Sequence, residues 1–376
     1  MPKLFTIVED VLDYSRDRDY IGYDKADGLS SRILQSVPID NKWINVFFQE
    51  SCKRAPINIR PFLLVTKKRN TKGGSLFAIA NKNMYDVSGK LRYKDEYYRL
   101  LDWLVSADID GYSGYCVGHR HPIQTLSEKT EANTPDIVST SFAVKALCQS
   151  NNDEYVNTAE SAANFLTNEL NYEELETGAR IKYKPTSPDQ FHTLNANALG
   201  ARMLADIYAA TGEDKYLNKS HSILKYVASK QQPCGGWMYR EPASASHVSM
   251  DNYHNGFIVE SLIRYSDVAQ SNEFIETIDN GLQFYRSLFS DAGAPSWDED
   301  NTYPRDIHAA AEGIIVFNLA GKSKFAKQIS KWAIENLYSP EGRFYYQKMR
   351  FYTKRFTLMR WCQGWMSYAL SSPQLH

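Results

Sequence analysis

A helical segment rich in small and apolar residues returns along this chain at intervals of about 52–60 residues, and this repeat limits the fold more than any other feature. Each copy carries a polar residue near its start: Ser141, Asn195, Asn255, His308 and Arg360. Between the copies lie segments of a second kind, such as "EYVNTAESAANFLTNEL" from Glu154 and "KYLNKSHSILKYVASK" from Lys215, with apolar residues at helical spacing and charge on the opposite face. The interval fits one helical hairpin plus a loop. "LFAIANKNMYD" from Leu76 reads as an earlier apolar helix, and "SSRILQSVPIDNKWINVFFQESCKRAP" as the first outer element. Apolar helices inside and amphipathic ones outside, six hairpins in all, predict an all-α (α/α)6 barrel. Residues 29–376 form that barrel as one domain in this reading, and residues 1–28 an irregular N-terminal extension.

Alternating hairpins make all inner helices parallel, so their N-termini meet at one mouth. Free N–H groups and positive dipole ends there suit an anion. Glycine–aromatic pairs recur ahead of the inner helices: Gly114-Tyr115, Gly178 to Tyr183, Gly236-Trp237, Gly293 to Trp297 and Gly342 to Tyr345. The glycines suit tight turns and the rings suit a sugar. One of these turns, "QQPCGGW" from Gln231, is similar to the glutamine–tryptophan turn of terpene cyclases.

Composition narrows the partners. A net charge of −1 provides no overall field for nucleic acid. Five cysteines without a CxxC pair argue against a disulfide framework and point to a reducing, cytoplasmic setting. No apolar run is long enough to span a bilayer, and no secretory signal is read at the N-terminus.

Four polar clusters stand at or just before inner helices. "SGYCVGHRHPIQ" brings Tyr115, His119, Arg120, His121 and Gln124, which could grip an anionic, hydroxylated ligand. No HExxH or paired carboxylate accompanies the histidines, so neither metal nor cofactor is expected. "QFHTLNANALG" brings His192, Asn195 and Asn197, one Asn serving as a cap. "HVSMDNYHNGF" is the densest cluster, with Asp251 or Asn252 as a cap and His254 and Asn255 in the first turn, a base beside an amide donor. The last is split between "YPRDIHAAAEG", with Asp306 and His308, and "RFYYQKMRFYTKRFTLMRWCQGW", with Tyr345, Arg360, Trp361 and Gln363. A buried Arg360 needs a partner, either a bound carboxylate or a structural acid such as Glu312 or Glu260.

With Asn, His, Tyr and Arg at one mouth, the chain resembles uronate-acting toroid enzymes, namely alginate/heparin-type polysaccharide lyases and glucuronyl C5-epimerases. "SMDNYHNGFIVESL", "YPRDIHAAAEGI" and "LMRWCQGWMSYAL" are similar to a group of proteins of archaeal N-glycosylation and bacterial surface-polysaccharide pathways. The resemblance runs from about Arg60 to Leu370. It implies a sugar isomerase, epimerase or lyase acting on a uronate-containing oligosaccharide or a lipid- or nucleotide-linked sugar. His254 would be the base and Tyr239 a second base or acid. Asn195, Asn255 and Arg360 would hold the carboxylate, and His308, His192 and His119 would orient the sugar or share proton transfer. Tyr115, Arg120, Gln124, Asn197, Trp237, Asp251, Asn252, Asp306, Tyr345 and Trp361 complete the expected substrate contacts. The alternatives are a hydrolase of the unsaturated glucuronyl type, using acids among Asp189, Asp251 and Asp306, and a non-catalytic sugar-binding protein. A terpene cyclase would need an acid-rich DxDD-like motif, which neither "SADID" nor "WDEDN" provides.

Overall fold

The computed structural model describes residues 4–37, 40–126 and 128–375. Its helices in chain order are α1 (Leu4–Arg16), the short α2 (Arg32–Gln35), α3 (Lys42–Arg54), α4 (Thr71–Ser88), α5 (Leu91–Ser106), α6 (Ile137–Leu147) and α7 (Asp153–Asn164). They continue with α8 (Leu194–Thr211), α9 (Asp214–Ala228), α10 (Asn252–Ala269), α11 (Ile275–Ser287), α12 (Ile307–Leu319), α13 (Ser323–Leu337) and α14 (Trp365–Leu370). A π-helical stretch, Met359–Gly364, leads directly into α14.

Packing closes a ring. α4 lies against α6, α6 against α8, α8 against α10, α10 against α12, α12 against α14, and α14 returns to α4. These inner helices are buried almost all round, as Thr71 to Asn81 in α4 and Leu194 to Ile207 in α8 show. Helices buried on every side belong to a core, while the outer α5, α9 and α13 each bury one stripe. Each of the first five inner helices is backed by the helix that follows it. The fold is the (α/α)6 toroid that the repeat predicts.

Closure uses the chain's beginning. Residues 4–16, expected to be irregular, form α1, which packs on α14 as the sixth outer helix. Its Ile7, Val8, Val11 and Leu12 are fully buried, and that apolar stripe is what makes the segment helical. The stretch expected to be the first outer element instead carries α2 and α3. α3 packs on the turn Gly28–Ser30 and the strand Ile123–Gln124, at the mouth of the ring.

The "QQPCGGW" turn is structural. Gly235 has φ +91, and a Cβ there would lie 2.3 Å from the Asn280 carbonyl oxygen, so only glycine fits. Trp237 is buried and donates its Nε1–H to the Val227 carbonyl at 2.9 Å.

Candidate active site

Four inner helices start with a side-chain cap. Asn70, Asp136, Asp251 and Asp306 accept from the N–H groups of Gly73, Ser139, His254 and His308. At α6, α10 and α12 the positive helix end therefore already faces a carboxylate, which weakens the anion preference expected there from bare helix dipoles. The caps also set a register. The second residue of every inner helix, Lys72, Val138, Asn195, Tyr253, His308 and, on the π stretch, Arg360, lines one cavity of about 300 Å³. His254, Phe257 and Trp361 join from the same helices, with His119, Ile123, Tyr183 and Tyr239 from the loops and Lys25, Ala26 and Lys53 from the N-terminal segment. A second cavity of about 240 Å³ shares His119, Tyr183 and Tyr239 and extends toward Arg240 and His247.

Two imidazoles dominate this cavity. His254 Nδ1 lies 2.6 Å from Asp251 Oδ2. A carboxylate can only accept, so Nδ1 carries a proton, and in the neutral ring Nε2 keeps its lone pair. His308 is different. It is buried, and neither ring nitrogen has a hydrogen-bond partner among the described residues. Its ring stacks on Trp365 at 4.1 Å and on Tyr253 at 4.6 Å, with Trp361 edge-on at 4.5 Å. Burial, with Lys72, Lys25 and Arg360 nearby, drives its pKa well below the usual imidazole value, so it is neutral near pH 7.

Two ammonium groups that the sequence reading passed over complete the electrostatics. Lys72 lies 4.4–4.9 Å from the ring centroids of Phe142, Phe257 and Trp365. Lys25 stands 3.7 Å over the Trp361 ring and 5.4 Å from those of Tyr253 and Trp297. Neither forms a hydrogen bond or ion pair with another described residue. Burial lowers both pKa values, Lys72 far below the ordinary amine and Lys25 to about 8. Burial likewise pushes the Tyr239 phenol up to about 12. Asn195 presents a buried Oδ1 without a partner among the described residues.

Several expected contacts are corrected. Arg360 is held by Asp24 at 2.5 and 2.7 Å, a buried bidentate pair that uses its charge. Burial alone would raise the Asp24 pKa, yet Arg360 holds it well below the carboxylate range. Glu260, one of the candidate partners for Arg360, instead pairs with Lys145 at 2.7 Å and Arg202 at 3.1 Å. Asn255 spends its amide on the Trp237 backbone and the Asp251 carbonyl. Asn197 does the same with Ile181 and Thr193, and Asn252 with Leu288 and Tyr285. His192 Nδ1 lies 3.1 Å from the Ile181 carbonyl, and Tyr115 is buried with its hydroxyl on Leu104. Gln124 ties down Gln49 and its own hairpin. Asp306 accepts from Trp361 Nε1 and Gln347 besides capping α12. Arg120, Trp237 and Tyr345 also stand outside the cavity lining. Of the expected residues, His119, Asn195, Tyr239, His254, His308, Arg360 and Trp361 line it, and Asp251 stands behind His254. Among the described residues no group of three or more His, Cys, Asp and Glu is placed to hold a metal ion, and no helix is long and apolar enough to cross a membrane.

The (α/α)6 toroid is shared with carbohydrate enzymes of known structure. Cellobiose 2-epimerase from Bacillus thermoamylovorans B4167 superposes with a TM-score of 0.63 at 11% identity, over 81% of this chain and 87% of that one. An unsaturated glucuronyl hydrolase specific for heparin gives 0.60 at 12% identity, over 83% and 87%. A possible member of the GH105 family from Klebsiella pneumoniae subsp. pneumoniae MGH 78578 gives 0.64 at 12% identity, over 99% and 93%. No protein-family model matches the chain, and no curated protein matches it.

Proposed function

We propose that this chain is a carbohydrate-active enzyme that abstracts a carbon-bound proton from an anionic sugar, with a uronate residue of a surface polysaccharide or glycoprotein glycan as substrate. The observation that carries the reading is a pair of imidazoles, His254 oriented by Asp251 and His308 with both nitrogens bare among the described residues, sharing a cavity with the side-chain amines of Lys25 and Lys72, which form no ion pair with a described residue. A cavity of about 300 Å³ is large enough for a small ligand.

The chemistry follows from charge. The C5 proton of a uronate is weakly acidic because its electron pair can pass into the adjacent carboxylate, giving a dianionic enolate. Cations in a water-poor pocket stabilise that developing charge. His254 Nε2 takes the proton in this scheme, Lys72 and Lys25 face the carboxylate, and His308 or Tyr239 handles the second proton. Return of a proton to the opposite face gives the epimer. Loss of the C4 substituent gives an unsaturated product instead.

Hydrolysis is the second reading, suggested by the glucuronyl hydrolase likeness. It needs two carboxyl groups across the scissile bond. No Asp or Glu is among the residues lining the 300 Å³ cavity. Asp251 and Asp306 are committed as caps, and Asp189 is exposed and paired with Lys182. Incubating uronate oligosaccharides with the protein in D2O, followed by mass spectrometry, separates the outcomes. One deuteron gained without cleavage is the expected result for epimerisation, and an unsaturated fragment for elimination. Fragments heavier by one water would replace this reading with hydrolysis. An unchanged panel would leave a sugar-binding protein.

A further inference from the structure

α3 is built inside out. Its buried face carries Asn45, Gln49 and Cys52, and the two amides are hydrogen-bonded to Gln124. Its outward face carries Trp43 and Phe47, one helical turn apart and 66% and 68% exposed, with Ile44 beside them. A helix that meets only water has the reverse pattern.

The neighbouring segments extend this surface. Ser31 Oγ donates to the Leu63 carbonyl and the Arg32 N–H to the Leu64 carbonyl, and Arg60 Nη1 reaches the Cys52 carbonyl. α2, the 55–65 loop and α3 thus adjoin one another, and Ile33, Ile57, Leu64 and Phe62 (75%) on them are also exposed. Lys354 Nζ bonds the Lys53 carbonyl, attaching the hairpin of Gln347–Lys348 and Thr353–Lys354, whose tip exposes Phe351 (87%) and Tyr352. Apolar surface gathered on one face marks an interaction site.

Charge chooses the partner. Arg32, Lys42, Arg350 and Arg355 are exposed around these rings, and none is in an ion pair with a described residue. The acids of the α3 region are already neutralised, Asp40 by Lys129 and Glu50 by Lys53 and Arg54. After Glu341 the sequence has no acidic residue; of the lysines and arginines there, Arg360 is buried on Asp24, Arg343 pairs with Glu341 and Lys354 is buried, while Arg350 and Arg355 stay exposed on this face. A chain of net charge −1 therefore concentrates positive charge on this face. Protruding Trp and Phe ringed by Arg and Lys, spread over a helix and separate loop tips, match the headgroup region of a bilayer.

We propose that this face is a membrane-docking surface for anionic lipid bilayers. Lys53 of α3 and Ile123, on the strand against which α3 packs, both line the 300 Å³ cavity, so docking holds the mouth of the toroid beside the lipid. A glycan attached to a lipid could then enter without leaving the membrane, a consequence that rests on the proposed sugar chemistry, whereas the docking does not.

Co-sedimentation with vesicles of phosphatidylcholine and phosphatidylglycerol in equal parts, and with phosphatidylcholine alone, tests the docking independently of activity. The intact chain is expected to pellet with the anionic vesicles and far less with the neutral ones. Joint Trp43→Ser, Phe47→Ser and Phe62→Ser replacement should cut partitioning about tenfold or more, with the far-ultraviolet spectrum and melting curve unchanged because these side chains are exposed. Arg32→Glu with Lys42→Glu should weaken binding to the anionic vesicles. Failure of the intact chain to bind, or equal binding by the triple variant, overturns the proposal. So does concentration-dependent self-association in the ultracentrifuge, abolished by the triple variant and without vesicle binding, which would assign the face to a second copy of the chain.

Discussion

A buried imidazole with no partner for either nitrogen is costly unless a ligand supplies one, and His308 is such a residue. His308→Ala and His254→Ala are each expected to lower kcat by roughly 10²–10⁴-fold, measured on variants whose far-ultraviolet spectrum shows the fold intact. Lys25 supplies a pH signature. Burial lowers its pKa to about 8, with Asp306 and Asp251 pulling it up and Lys53 and Arg360 pushing it down. Its ammonium is present below that value and lost above it. KM for a uronate should therefore rise as the pH passes about 8, and Lys25→Arg should flatten that rise. At this scale the sequence was only partly legible. His254, His308, Asn195 and Tyr239 stand out as polar residues around helix starts. Asn255 and Asn197 stand out equally, yet they bond backbone a few residues away, and only three-dimensional placement reveals that. Lys72 was missed although the signal existed, because it occupies the same second position on α4 as Asn195 does on α8 and His308 on α12. Ser141 and Asn255, the polar residues near the starts of α6 and α10, lie out of that register.

Capping aspartates fix where three inner helices begin, and hence which residue faces the cavity. Asp136 accepts from both the backbone N–H and the hydroxyl of Ser139, at 2.7 and 2.8 Å. Asp136→Ala should cost about 1 kcal/mol, within a range of about 0.5–2, measured by urea unfolding. Asp251 has two tasks, capping α10 and orienting His254, so its loss should lower both stability and turnover. Helix existence was readable from periodicity because the apolar repeat is strong. α3 was misread as an outer wall helix because an apolar stripe looks the same whether it faces a core or something beyond the molecule.

The whole ring depends on a pairing far apart in sequence, α1 on α14. Leu12 of α1 is fully buried. Leu12→Ala should destabilise the protein by about 2–5 kcal/mol, seen as a lower denaturant midpoint; a free N-terminal extension would show no change. The toroid itself was legible because each hairpin is local. The partner of the last helix was not, since no period reaches from Leu370 back to Leu4.

That seam also orders events during synthesis. α1 leaves the ribosome first, and its partner emerges more than 340 residues later, which at bacterial-like elongation speeds of about 5–20 residues per second is a delay of roughly 20–70 s. Until then Ile7, Val8, Val11 and Leu12 lack the α14 side of their packing, although their helix can already meet α5 through Glu9 with Arg92 and Tyr93. A nascent chain of this kind carries an amphipathic helix only partly covered until the final turn is made, so its yield in cells should depend on holdase chaperones more than its finished stability would suggest.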